Sequence, residues 1–227
     1  MKISTVLLDI DGTLVDSNDA HAKSWVEAIS EFKFDINYQI IREKIGMGGD
    51  KLLPLVIGIE SASEVGKKIS KLRQSIFQTK YLPNLLAFDG TRELLEHMIK
   101  VGLQLVVATS ASKDDLSKIL EQAKISKLLS NRVTSDDAEN SKPAPDILSA
   151  ALKKMKVCPE EAIMIGDTPY DIEAARLAKV RSIGFTCGGW PAEALAGSFA
   201  TYGGPKDLLK HFDESFFSSA AETGAKI

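Results

Sequence analysis

Cysteine is scarce in this chain of 227 residues, which carries only Cys158 and Cys187. Thiols so far apart match neither a metal-ligand spacing nor a disulfide framework, and read as reduced thiols of a cytosolic protein. A surplus of one charge is also lacking. Lys plus Arg number 28 against 31 Asp plus Glu, a formal charge of −3, so the basic excess of a nucleic-acid binder is missing. Long apolar runs are absent near the start, where Val6-Leu7-Leu8 follows a single Lys2 and is broken at once by Asp9 and Asp11. That run is too short and too acidic for a signal peptide or a membrane span. The expected setting is cytoplasmic, with neither a nucleic acid nor a membrane as partner. Repeats and low-complexity tracts are missing as well. What remains is ordinary: 44% hydrophobic and 26% charged residues, which excludes a disordered tail and can build one domain with a sizeable insertion, or two modest ones.

The apolar residues fall into short runs. Thr5-Val6-Leu7-Leu8 ends abruptly in Asp9-Ile10-Asp11-Gly12-Thr13, as a buried strand feeding a loop does. Leu103–Ala108, Ala162–Ile165 and Val180–Phe185 repeat the pattern, and Arg132-Val133-Thr134 is a weaker version. Helical stretches separate them, near 92–100, 113–123, 145–155 and 172–178. The second opens with Ser112 and Asp115 in capping-box spacing. Strands alternating with helices imply an α/β fold, a parallel sheet covered on both faces in a three-layer, Rossmann-like arrangement. Residues 17–83 break the alternation with helical patterns alone, near 20–32, 38–45, 49–56 and 62–79. The chain therefore divides into an α/β core of 1–16 and 84–217, a helical insertion of 17–83, and a small, polar tail of 218–227 expected to be loose.

In an open parallel sheet, ligands bind beyond the carboxyl ends of the strands. The first strand ends at Asp9 and Asp11, the second at Thr109-Ser110, and the fourth at Gly166-Asp167-Thr168-Pro169-Tyr170-Asp171. The third leads to a loop holding Ser141-Lys142-Pro143. Several carboxylates gathered in one place need a cation, and hard oxygen ligands beside room for water and phosphate point to Mg²⁺. A carboxylate there can attack phosphorus, and a second acid two residues on can protonate the leaving alcohol and then activate water. Acid neighbours favour that second group's holding its proton. Lys142 and the Thr109 hydroxyl would hold the transferring phosphoryl oxygens.

The motifs Asp9-x-Asp11-Gly12-Thr13, Thr109, Lys142-Pro143 and Gly166-Asp167-x-x-x-Asp171, in that order, resemble the four motifs of the haloacid dehalogenase-like (HAD) superfamily. The helical insertion resembles the small cap of the subfamily that includes phosphoglycolate phosphatase and β-phosphoglucomutase. The resemblance implies that Asp9 is the nucleophile and a magnesium ligand. It makes Asp11 the general acid/base, lending its backbone carbonyl to the metal, and Asp167 a further ligand. Asp171 either ligates through water or orients Asp167 and Lys142. Thr109 and the Ser110 amide bind the phosphoryl group. His21 matches a mutase cap histidine that hydrogen-bonds the acid/base, or else it packs at the hinge. Dehalogenases and phosphonate-cleaving members lack the second acid, so Asp11 favours phosphate monoester hydrolysis.

Bland readings stand beside these. Asp9-x-Asp11-Gly12 and Gly166-Asp167 could be turns, Lys142 a solvated charge, Asp171 an exposed N-cap, and Thr109-Ser110 the cap of the next helix. His97 and His211 read as helix surface. Gly66-Lys67-Lys68 is no phosphate loop and Gly46-Met47-Gly48-Gly49 no dinucleotide fingerprint, though the latter resembles the cap loop that dips over the site. Where the mutase carries an arginine for a distal phosphate, this chain has Gly49-Asp50-Lys51, which argues against mutase activity; on that short stretch Lys51 could serve only with its side chain pointing inward. The expectation is thus a Mg²⁺-dependent phosphatase of a small phosphorylated metabolite, acting as a monomer or homodimer. The alternatives are a phosphosugar mutase or a silent regulator that only binds such a metabolite.

Overall fold

The computed structural model describes residues 2–214 and 217; the tail expected at 218–227 lies outside them. Six strands form one parallel sheet: β1 (Thr5–Leu8), β2 (Gln104–Ala108), β3 (Asn131–Val133), β4 (Ala162–Gly166), β5 (Arg181–Phe185) and β6 (Ala200–Tyr202), in the order β3-β2-β1-β4-β5-β6. The chain runs outward from β1 in both directions, so β1 lies centrally and a crevice opens at its carboxyl end. Register sharpens this. Leu8 stands level with Val107 and with Ile165, so the residues that follow β1, β2 and β4 emerge at one height.

Alternation along β1 sorts its side chains. Val6 and Leu8 join one apolar cluster with Leu95, Ile119 and Leu208, while Leu7 joins another with Val106, Met164, Ile147 and Ala174. Both faces are dry, which is why the strand reads as a continuous apolar run rather than an alternating one.

Between β1 and β2 lie α1 (Asn18–Glu31), α2 (Tyr38–Arg42), α3 (Gly49–Ile57) and α4 (Glu64–Ile76), the last running into a π-helical turn at Phe77–Tyr81. Ala22, Trp25, Ala28 and Ile29 follow helical spacing and bury against Ile41, Leu52, Leu53 and Ile69 in a core of their own. The sheet is flanked by α5 (Thr91–Lys100), α6 (Lys113–Gln122), α7 (Asp146–Met155), α8 (Pro169–Leu177) and α9 (Pro205–Lys210).

Three local expectations are corrected. Helix α8 begins at Pro169, not at 172, because Thr168 caps it and proline suits the first helical position. Asp171 is therefore no exposed N-cap but a buried residue of the first turn. The Ser112 hydroxyl does accept from the Asp115 amide at 3.2 Å, but the Asp115 carboxylate does not return the bond. It faces α4 and the π-helical turn instead, and accepts from Arg73, Gln74 and Gln78. His97 is not plain helix surface: its ring packs edge-on against Phe212 at 4.5 Å.

Candidate functional site

Asp9 leaves β1 with its backbone amide bonded to the Ile165 carbonyl at 3.0 Å, so it is fixed between β1 and β4. The ammonium of Lys142, fully buried, donates to Asp9 Oδ1 at 2.6 Å and to Asp171 Oδ1 at 2.7 Å. Asp171 Oδ2 accepts from the Thr168 amide at 3.0 Å and its hydroxyl at 2.7 Å. The α8 capping box thus aims Asp171 at Lys142, and Lys142 at Asp9. Lys142 is no solvated surface charge.

Asp167 is held from two other directions. Thr13 Oγ1 donates to its Oδ1 at 2.9 Å and also lies 3.2 Å from Asp9 Oδ2. Asn18 Nδ2, from the start of α1, donates to Asp167 Oδ2 at 2.8 Å and to the Gly188 carbonyl at 3.0 Å.

Oxygens of Asp9, Asp167 and Asp171 approach within 4.8 Å of one another. Burial is the main influence on the first two. It lifts Asp9 to about 7 against the pull of Lys142, with the charges of Asp171 and Asp11 adding to the rise. Burial, then Asp171 and Asp9, lift Asp167 well above the carboxylate range. One lysine does not balance three buried acids, so the donor set suits a small hard cation. Asp171 spends one oxygen on the Lys142 ammonium and the other on the Thr168 amide and hydroxyl, whereas the second oxygens of Asp9 and Asp167 are met by the Thr13 hydroxyl and the Asn18 amide.

Asp11 departs from expectation. Burial would raise its pKa, but His21, by charge and hydrogen bond, together with Ser17 outweighs burial and holds the carboxyl below its usual value. The acid has turned from its acidic neighbours: His21 Nε2 lies 2.8 Å and Ser17 Oγ 2.5 Å from Asp11 Oδ1. His21 is stacked on Phe77 at 4.1 Å, so the hydrogen bond and the packing role coexist.

Asp9 and Asp11 open into a cavity of about 60 Å³, room for a few waters. Thr109 and Ser110 line its sheet side, and Gly46, Met47, Gly48 and Gly49 cover it from the helical block. Thr109 and Ser110 do not cap α6, since Ser112 does. The Ser110 hydroxyl is buried without a partner among the described residues, an orphan that a bound oxygen would satisfy. Glycine permits the cover's close approach: a Cβ on Gly48 would meet Ser141 Oγ at 2.1 Å, and one on Gly46 the Thr168 methyl at 2.6 Å.

Gly12 is equally constrained, with φ +80° and a Cβ position 2.0 Å from Asn18 Nδ2 and 2.2 Å from Asp167 Oδ2. Gly12→Ala is expected to displace both and weaken divalent-cation binding at least tenfold, roughly 1.4 kcal/mol. Titration calorimetry with Mg²⁺ checks this; unchanged affinity would show that Gly12 is only a turn residue.

Sequence reasoning missed Asn18 and, more consequentially, Arg73. Lys51 does not line the cavity, whereas the Arg73 guanidinium of α4 does. No motif flags either residue, because each partner lies far away in sequence.

Residues 6–185 match the sequence profile of the family described as haloacid dehalogenase-like hydrolase. Pyrophosphatase PpaX of Bacillus cereus is 30% identical over 184 residues, covering 80% of this chain and 82% of that protein. Validoxylamine A 7′-phosphate phosphatase of Streptomyces hygroscopicus subsp. limoneus is 28% identical over 193 residues, covering 84% and 88%. Among solved structures, a hydrolase from Pseudomonas syringae superposes with a TM-score of 0.87 at 32% identity, covering 94% of this chain and 99% of that one.

Proposed function

The chain belongs to the haloacid dehalogenase-like hydrolase family, and from that premise we propose that it is a Mg²⁺-dependent phosphatase of small phosphorylated metabolites, working through an aspartyl-phosphate on Asp9. The observation that carries this is the pair of aspartates two residues apart with opposite surroundings. Asp9 is clamped by Lys142 and Thr13, as a nucleophile needs, while Asp11 is turned to His21, its Oδ2 making no hydrogen bond among the described residues.

Asp9 attacks phosphorus, and the bond to the leaving oxygen breaks. Asp11 takes up a proton from solvent as the anionic phosphoryl group comes to stand beside it, and gives that proton to the leaving oxygen through Oδ2, with His21 fixing the other oxygen. Asp11 then takes a proton from water, which attacks the phosphoryl group on Asp9, freeing inorganic phosphate; both carboxylates regain their starting states once Asp11 returns that proton to solvent. Lys142 and the loop at Thr109 and Ser110 orient the phosphoryl oxygens. Asp9, Asp167 and the Asp11 carbonyl would hold Mg²⁺, which when bound neutralises charge on the carboxylates and the phosphoryl oxygens. Asp171 acts as the orienter of Lys142 rather than as a ligand.

In this reading, residues 17–83 are a cap domain that lifts to admit substrate, since the cavity beneath it holds little more than water. The two free cysteines, one exposed and one half-buried, agree with a cytoplasmic setting.

The test is phosphate release from a panel of phosphorylated metabolites. Activity should fall to background in excess chelator, return with Mg²⁺ and not return with Ca²⁺, which takes more ligands at longer distances and would engage both Asp9 oxygens. Full turnover in chelator would overturn the metal assignment, and binding without turnover would favour a silent regulator.

A further inference from the structure

The carbonyl of Gly188 joins the helical block to the acid cluster. It belongs to a turn, Thr186–Gly188, that follows β5. Two donors from different parts of the block reach its oxygen. Asn18 Nδ2, at the base of α1, lies at 3.0 Å and also donates to Asp167 Oδ2 at 2.8 Å. Arg42 Nη2, at the end of α2, lies at 2.5 Å. A carbonyl oxygen has two lone pairs, so both donors can occupy it together.

The glycines of this turn serve close approach. A Cβ on Gly188 would stand 1.8 Å from Asp167 Oδ2, and one on Gly189 would stand 2.8 Å from Arg42 Nη2. The turn thus touches the Asp167 carboxylate at one glycine and the Arg42 guanidinium at the next. Arg42 is aimed from within the block, where its Nε donates to Asp19 Oδ1 of α1 at 2.8 Å. Asp19 is 61% exposed, so that ion pair contributes little to stability and serves mainly to direct the guanidinium. A planar fork meets two acceptors at once, which an ammonium does less well. Asn18 has no such second anchor. Its Oδ1 is buried without a partner among the described residues, so the Gly188 carbonyl is what steadies the amide that holds Asp167.

We propose that Arg42 is a positioning residue for the metal site: when the helical block seats on the sheet, Arg42 pins Gly188 and through it Asn18 and Asp167, so that the seated chain binds a divalent cation more tightly than the lifted one. This rests on the phosphatase reading above, which gives Mg²⁺ to Asp9 and Asp167. Without Arg42, one amide must fix both the loop carbonyl and the carboxylate, and the two shift together. Linkage makes the effect reciprocal, so the cation favours seating by the same factor by which seating favours the cation.

Titration calorimetry with Mg²⁺ and no substrate compares the native chain with Arg42→Gln, Arg42→Lys and Tyr170→Phe. Arg42→Gln should weaken Mg²⁺ binding by about 5- to 30-fold, within the usual range of coupling between sites. Arg42→Lys should recover part of the loss. Tyr170→Phe removes another bond to the block, from the Tyr170 hydroxyl to the Glu43 carbonyl at 2.7 Å, without touching Gly188. It should leave the affinity within about twofold of native, as an exposed substitution does. Hydrogen exchange gives the reciprocal effect: Mg²⁺ should slow exchange across residues 38–43 in the native chain and not in Arg42→Gln. In turnover, Arg42→Gln should need more Mg²⁺ for half-maximal rate while keeping kcat at saturating Mg²⁺. Native Mg²⁺ affinity in Arg42→Gln, an equal loss in Tyr170→Phe, exchange slowed alike in both chains, or a kcat deficit that excess Mg²⁺ does not repair would overturn the proposal. If the native chain binds no Mg²⁺, the metal assignment of the phosphatase reading fails instead, and the two failures are distinguishable.

Discussion

Asp9→Asn is expected to lower phosphate release by on the order of 10⁴-fold or more, the loss that follows removal of a covalent nucleophile. The substitution is nearly isosteric, and its surroundings can accept it. The new side chain's oxygen can still receive the Lys142 ammonium, now 2.6 Å from Oδ1, and the amide can meet the Thr13 hydroxyl, now 3.2 Å from Oδ2. Lys142 also keeps Asp171 as its counterion. The variant should therefore fold and melt close to the native chain while failing at chemistry. An acid-quenched reaction of the native chain should show a fraction of protein heavier by one phosphoryl group, and Asp9→Asn none. Native turnover in the purified, metal-loaded variant, or a phosphorylated fraction that persists in it, would remove Asp9 from the proposed role.

The fold was legible where burial is complete. Strands β1, β2, β4 and β5 are nearly all buried, so each stands out as an apolar run cut off by a turn. Strand β6 (Ala200–Tyr202) gives no such signal, being three residues long, at the sheet edge and partly exposed; nothing in its sequence distinguishes it from loop. At the site, spacing announces which residues follow the strand ends, because a parallel sheet gathers them whatever their side chains do afterwards. Orientation is another matter. That Asp11 turns to His21 and away from the acids depends on α1 descending beside it, and Asn18 reaches Asp167 across 149 residues. Arg73 meets Asp115 across 42 residues, and the same stretch of α4 reads in sequence as an ordinary polar helix face. Contacts made by the helical block with the sheet obey no local period, so sequence pattern carries no trace of them.

Lys142 is the residue whose loss should be felt in both stability and chemistry. Its side chain is 1% exposed and lies between two carboxylates, at 2.6 Å from Asp9 and 2.7 Å from Asp171. Burial alone would discharge the amine, but those two acids outweigh burial and keep it charged. Lys142→Met preserves most of the volume and removes only the charge and its donors. Two buried carboxylates then face each other without their cation, a situation worth about 3–5 kcal/mol of destabilisation. For a chain of this size, that corresponds to a fall of roughly 6–20 °C in melting temperature. Activity should vanish with it, because Asp9 is no longer held in line. The double variant Lys142→Met/Asp171→Asn separates the causes. Removing one of the stranded charges should recover a good part of the melting temperature, since an amide at 171 can still cap α8 through its oxygen, yet activity should stay lost. Differential scanning calorimetry in chelator measures the first and phosphate release with Mg²⁺ the second. A Lys142→Met melt within about 2 °C of native would mean that water or a proton already relieves the acids, and that the buried pair contributes little. Recovery of activity in the double variant would place the phosphoryl contacts elsewhere than on Lys142.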